Sequence, residues 1–313
     1  DFKPYLYKTT DYGATWTQIN KGIDRKHFTR VIRADPVRQG LLFAGTESGL
    51  YVSVDDGENW TLFQCNLPVV PITDMTFKND DLVVATQGRS FWVLDDLSLV
   101  RQWNPDVLKK SMHLFSSRPT YRMRGGGSGR QSATAGQNIA SGVHFNVYLK
   151  EAVDDKNPVN LELKDAKGDV LTTFSSKPDK KLKQKKLELS PGMNRVNWDM
   201  RVAGADSFEE IVLWGGGLQG PLVVPGVYTA TLAQGEHSES VEFEVRKDPR
   251  GSATDADLQA QYEFLIGVRD KLTETHKVIT QLRAVRSQIE ALSERLEDEQ
   301  YKAIRDQGKE INE

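Results

Sequence analysis

One short pattern occurs twice near the N-terminus and sets the frame for everything downstream. Thr9-x-Asp11-x-Gly13-x-x-Trp16 and Ser53-x-Asp55-x-Gly57-x-x-Trp60 both read Ser/Thr-x-Asp-x-Gly-x-x-Trp, and they lie 44 positions apart. Roughly 40–45 residues is the length that one four-stranded propeller blade consumes. Each copy stands between an apolar strand, Tyr5–Tyr7 or Leu50–Val52, and a second strand opened by its tryptophan. A short acidic side chain folds a tight turn by accepting hydrogen bonds from nearby backbone N–H groups. Gly13 and Gly57 supply positive φ without a Cβ clash. Trp16 and Trp60 are expected to pack on their turns and bury large apolar surfaces. The role expected of these eight residues is therefore structural.

The stretch between the copies reads as strands and turns. Thr29–Ala34 and Leu41–Gly45 are strands, with Asp35-Pro36 and Gln39-Gly40 as turn signals. A further blade follows in Ile72–Phe77, Leu82–Thr86 and Ser90–Leu94, with His113–Phe115 as its expected fourth strand. The repeated motif resembles the Asp box, or BNR repeat. Phe43-Ala-Gly-Thr-Glu-Ser-Gly-Leu-Tyr-Val-Ser53 and Gln87-Gly-Arg-Ser-Phe-Trp-Val-Leu-Asp-Asp96 resemble the last blades of bacterial sortilin-type propeller proteins, which are often labelled glycosyl hydrolases. That resemblance covers most of the chain. It implies that further blades precede residue 1 in a parent protein, that the protein is secreted, periplasmic or in the bacterial cell envelope, and that Asp11 and Asp55 sit on outer hairpins away from any central channel.

Arg122-Met-Arg-Gly-Gly-Gly-Ser-Gly-Arg130 reads as a flexible basic linker and lacks the glycine spacing of a phosphate-binding loop. From Val143 the pattern is that of short strands: 143–149, 159–165, 170–174, 186–189, 194–199, 226–233 and 240–245. Seven such strands in about a hundred residues fit an Ig-like sandwich. Gly192–Asp199 and Val224–Ala230 resemble the Ig-like fold of the flagellar hook-capping family, which implies that Trp198 and Tyr228 are core anchors. Two features stand out. The 203–223 connection, with Trp214-Gly-Gly-Gly217, is long for a sandwich, and either binds something or packs on the neighbouring propeller. Lys177–Lys186 carries six lysines, expected to be a solvated hairpin with a polyanion contact as the alternative.

Thr254 and Asp255 are N-cap candidates for a C-terminal helix. Leu265, Leu272 and Ile279 recur every seven residues, and Val268, Leu282, Ile289 and Leu296 form a second register in which Thr275 is the weak member. Val285 and Leu292 continue the stripe past Arg286. A helix of this length cannot bury such a stripe alone. The first expectation is a helical hairpin with Gln300–Glu313 at or past its turn. A coiled coil between chains is the second.

The chemistry of the chain is quieter. Net charge is −3, which argues against a dedicated nucleic-acid binder. No stretch approaches the roughly 20 apolar residues of a membrane span. The single cysteine, Cys65, ends a strand and reads as a small, partly buried side chain. His27, His113, His144, His237 and His276 are scattered, so no metal or other cofactor is expected. Glu47, Asp74, Asp80 and Asp81 lie near blade strands or turns without a diagnostic motif, and Arg30 and Arg33 alone do not make a sialidase cluster. The expected layout is mainly β: propeller blades over 1–121, a Gly-rich linker over 122–136, an Ig-like sandwich over 137–249 and a helical segment over 250–313. The expected function is a non-catalytic portion of a propeller protein, serving as scaffold or binding a protein or peptide at the propeller face. The alternative is part of a glycoside hydrolase or glycan-binding propeller whose carboxylates lie mostly in missing blades. Self-association through the C-terminal helix is a further expectation.

Overall fold

The computed structural model describes residues 2–123, 139–179, 181–295 and 302–312, and within them the protein is mainly β with a long helix near its C-terminus. The described residues fall into two compact units, one of residues 2–118, 139 and 146–150, the other of 119–123, 140–145 and 151–312. Most of the Gly-rich linker, from residue 124 onward, lies outside the described residues, as does Leu296 of the helical stripe.

The first unit opens with a hairpin of β1 (Tyr7–Lys8) and β2 (Thr17–Gln18). A four-stranded antiparallel meander follows in chain order: β3 (Thr29–Ala34), β4 (Leu42–Thr46), β5 (Gly49–Ser53) and β6 (Thr61–Leu62). Next comes a three-stranded meander, β7 (Ile72–Lys78), β8 (Asp81–Thr86) and β9 (Phe91–Leu94). Strand β4 is buried throughout, and its period-2 alternation feeds two cores. Phe43 packs with Leu41, Ile72 and Leu82, while Leu42 and Ala44 pack with Leu6, Tyr51 and Trp60. Each fully buried Leu or Phe contributes about 1.5–3 kcal/mol relative to exposure.

A charged clip ties the turns of these sheets together. The carboxylate of Asp35 accepts from the backbone N–H groups of Val37 and Arg38. It also pairs with Arg101, at 3.0 Å, from the short helix α1 (Ser98–Gln102), and Arg101 reaches Asp80 at 2.6 Å. Arg38 in turn donates to the carbonyls of Val100 and Trp103, each at 2.8 Å.

The strand expected at His113–Phe115 exists as β10 (Met112–Leu114), but it does not complete the β7–β9 sheet. It pairs antiparallel with residues 147–149 of β12 (Val143–Leu149). Met112 and Leu114 are both fully buried and need a covered apolar partner, which Val147 and Leu149 supply. Phe91 and Val93 of β9 are exposed and would not.

The second unit contains a six-stranded sheet in the order β11 (Thr120–Arg122), β18 (His237–Lys247), β17 (Gly226–Gln234), β13 (Val159–Lys164), β14 (Val170–Ser175), β15 (Lys185–Lys186). Strand β16 (Gly192–Trp198) is the neighbour of β12. Phe145 of β12 and Trp198 of β16 meet Phe243 of the large sheet edge-on, with ring centroids 5.1 and 5.8 Å apart. Edge-to-face aromatic packing of this kind is favourable beyond area burial. Trp198 is fully buried and donates from Nε1 to the Arg201 carbonyl. Buried Tyr228 donates to the Val224 carbonyl at 2.5 Å, and burial pushes its hydroxyl pKa up to about 12.

Helix α2 (Asp255–Arg295) spans 41 residues. The Thr254 hydroxyl accepts from the Asp257 N–H, and the Asp257 carboxylate accepts from the Thr254 N–H, a reciprocal cap. Helix α3 (Lys302–Asn312) folds back on α2, so closely that a Cβ on Gly308 would stand 2.9 Å from Ile289 and 3.2 Å from Ser293. The helical hairpin is thus present. No described helix is long and apolar enough to cross a membrane.

Candidate functional site

The two repeated turns are built alike. In the first, Asp11 Oδ1 accepts from the Thr15 N–H and the Thr9 hydroxyl, both at 2.8 Å, while the Gly13 N–H donates to Thr9 Oγ1. In the second, Asp55 Oδ1 accepts from the Asn59 N–H and the Ser53 hydroxyl, at 2.9 and 2.7 Å, while the Gly57 N–H donates to Ser53 Oγ. Gly13 and Gly57 have φ of +94° and +88°. Hydrogen bonds from the Thr15 hydroxyl and N–H hold the Asp11 carboxyl at about pKa 2. Burial opposes ionisation of Asp55, but the Asn59 side chain and backbone and the Ser53 hydroxyl outweigh it, and its pKa is lowered too. Both carboxylates spend their lone pairs inside their own turns.

The tryptophans differ. Trp60 is 4% exposed, donates to the Ile19 carbonyl and sits with Leu6 and Ile23 of the preceding segment. Trp16, expected to be buried, is 60% exposed and donates only to the Gly13 carbonyl of its own turn. The physical reason is the partner. Trp60 docks on the β1–β2 hairpin, and no described hairpin precedes Trp16. Cys65 also departs from expectation, being exposed with φ +44°.

The acidic residues singled out in the first unit are taken up by arginines. Glu47 pairs with Arg30 and Asp74 with Arg33, each at 2.5 Å. Asp80 meets Arg101 at 2.6 Å and Asp81 meets Arg118 at 3.1 Å. No group of three His, Cys, Asp or Glu side chains among the described residues is placed to hold a metal.

One concavity lies wholly in the second unit, a groove of about 1200 Å³ beside α2. The 203–209 part of the long loop forms one wall by packing on this helix. Arg269 donates to the Ala203 carbonyl, and Thr273 Oγ1 accepts from the Asp206 N–H. His276 Nδ1 donates to the Asp206 carbonyl at 2.5 Å, and Arg283 donates to the Glu209 carbonyl at 3.0 Å. The His276 bond places the ring proton on Nδ1. Phe208 stands edge-on to His276, centroids 5.2 Å apart, and lies 4.7 Å under the Arg283 guanidinium. A cation over an aromatic face is held by the ring quadrupole.

Asp206 is the electrostatic centre of the groove. Lys183 reaches one oxygen at 2.6 Å and Lys277 the other at 3.6 Å. The Lys183 hydrogen bond lowers the carboxyl pKa despite partial burial, with the charges of both lysines helping. The lining holds four cations, Lys181, Lys183, Lys277 and Arg283, against two acids, Asp206 and Glu209. Of the lysine run, Lys185 and Lys186 are spent on Asp199 and Glu188, Lys177 donates to the Asp155 carbonyl, and Lys180 lies outside the described residues. Lys181 and Lys183 are therefore its members on the groove. Sequence reasoning singled out the loop and the lysines. It missed Phe208, and it placed neither His276 nor Arg283 at the groove; the signal for those two is the polar series Arg269, Thr273, His276, Thr280 and Arg283 at alternating four- and three-residue spacing.

No protein-family model and no curated protein matches this chain. Among solved structures, the extracellular domain of a protein from B. thetaiotaomicron described as a hybrid two-component system superposes with a TM-score of 0.26 at 10% identity, over 78% of this chain and 30% of that one. A second such domain from the same organism gives 0.24 at 9%, over 79% and 29%. The chain thus spans about a third of the length of these structures. Superpositions this loose assign neither fold nor ligand.

Proposed function

We propose that this chain is a non-catalytic binding portion of a secreted or envelope propeller protein of the sortilin type, and that it takes a protein or peptide partner through an acidic segment. In this reading 1–121 are closing blades with Asp boxes at Thr9–Trp16 and Ser53–Trp60, 122–136 a linker, 137–249 an Ig-like module and 250–313 a helical extension. The observation that carries the proposal is the groove beside α2, where four cations outnumber two acids around a half-stacked aromatic. Fixed positive charge in a concave wall raises the local concentration of anionic ligands. Phe208 adds an apolar contact that a peptide side chain can use.

The test is a titration with a fluorescent oligoglutamate peptide, with oligolysine as control. Binding of oligoglutamate alone, weakened by salt and by Lys181→Glu with Lys277→Glu, is the expected result. Absence of oligoglutamate binding at low salt refutes the reading. Release of reducing sugar from a polysaccharide panel by this chain would replace it with the hydrolase alternative.

A further inference from the structure

The main chain of Asp206 is fixed to α2 twice, by its N–H to Thr273 Oγ1 and by its carbonyl to His276 Nδ1, and this sets its carboxylate among the cations of the groove. Lys183 holds one carboxylate oxygen at 2.6 Å and is itself tied to the loop, donating to the Gly204 carbonyl at 3.0 Å. Lys277 faces the other oxygen at 3.6 Å, outside the roughly 2.7–3.2 Å of an N–H···O hydrogen bond, and its side chain is 67% exposed. The two lysines therefore differ. Lys183 anchors the loop, whereas Lys277 is loosely held and can turn toward another anion. Arg283 is committed as Lys183 is, to the Glu209 carbonyl and the face of Phe208. Lys181 is exposed on the same groove and pairs with no described carboxylate.

We propose that Asp206 is an internal competitor: its carboxylate engages the cationic wall in the absence of a partner, and an acidic segment binds by drawing Lys277 away from it. The inference rests on the reading of the groove as a site for acidic segments, and it narrows that reading to segments whose acids are clustered. A lone carboxylate gains one pair, with Lys277, and breaks one, between Lys277 and Asp206. Ion pairs this exposed are all of small worth, so that exchange is close to neutral. A second acid beside the first reaches Lys181 as well, whose charge no inner carboxylate offsets, and the gain is then net. The Lys183 hydrogen bond lowers the Asp206 pKa, so the competitor is ionised wherever the carboxylates of a partner are.

Titration of the intact chain with fluorescent oligoglutamate, and with a peptide of equal length carrying one glutamate, tests this. Asp206→Asn keeps both main-chain bonds and the shape of the side chain, and is expected to tighten oligoglutamate binding about fivefold. In a Lys277→Gln background the same substitution should give less than half of that gain, because the lysine it releases is gone. The single-glutamate peptide should bind the wild type at least about tenfold more weakly than oligoglutamate. Should Asp206→Asn lower the melting temperature, Asp206→Ser, equally uncharged, repeats the comparison. A wild type that binds oligoglutamate and an uncharged variant that binds it no more tightly overturn this inference alone. Equal gains with and without Lys277 overturn it too, since the carboxylate then acts only by general repulsion, as does a single-glutamate peptide that matches oligoglutamate. Binding of oligoglutamate by neither the wild type nor the variant overturns the reading of the groove and this inference with it.

Discussion

Trp16 and Trp60 hold the same place in the repeat and have different surroundings, so the same substitution should have different costs. Trp60→Ala empties a site shared with Leu6, Leu42 and Tyr51, and should destabilise the first unit by about 3–5 kcal/mol in chemical denaturation. Trp16→Ala should stay within about 1 kcal/mol. Asp35 and Arg101 form a pair in which both side chains are nearly out of solvent. Arg101→Met strands a buried carboxylate and should cost about 3–5 kcal/mol, and a double-mutant cycle with Asp35→Asn should recover part of it. The turn carboxylates set a pH dependence. The pKa of Asp11 falls from 3.8 to about 2 on folding, and that of Asp55 falls as well. A depressed folded pKa gives stability that is complete above the unfolded value and is lost as pH falls through the folded one. The melting temperature of the first unit should therefore drop between about pH 4 and pH 2, and less so in Asp11→Asn.

At the scale of elements, α2 depends on its cap. Thr254→Ala removes the hydroxyl that accepts from the Asp257 N–H and donates to the Asp257 carboxylate, and should cost about 1 kcal/mol of helix stability, read as lost ellipticity on heating. That cap was legible in the sequence, as were the repeated turns, the longer strands of both units and the return of the chain after α2. Each is written in local spacing. What was not legible depended on partners distant along the chain. The partner of β10 is β12, more than thirty residues on, and nothing around His113 names it. Burial of a repeat tryptophan depends on the hairpin it meets rather than on its own turn. The groove unites Asp206 with His276, 70 positions apart. In the helical pattern His276 and Arg283 look like members of a charged outer face, when they are the face that grips the loop.

On the scale of the whole molecule, each unit has its own apolar interior: Phe43, Ile72 and Leu82 in one, Phe145, Trp198 and Phe243 in the other. Separate cores unfold as separate cooperative units. Calorimetry should resolve two transitions, with Trp60→Ala lowering one and Trp198→Ala the other. The loop that walls the groove has a further property. It is anchored through 203–209, yet a few residues later Trp214 is 99% exposed and flanked by three glycines. Acrylamide or iodide should therefore extinguish the emission of Trp214 and Trp16 while the light from Trp60 and Trp198 persists. In a Trp16→Phe background the quenchable signal comes chiefly from this loop, which gives the protein an intrinsic optical reporter next to the groove.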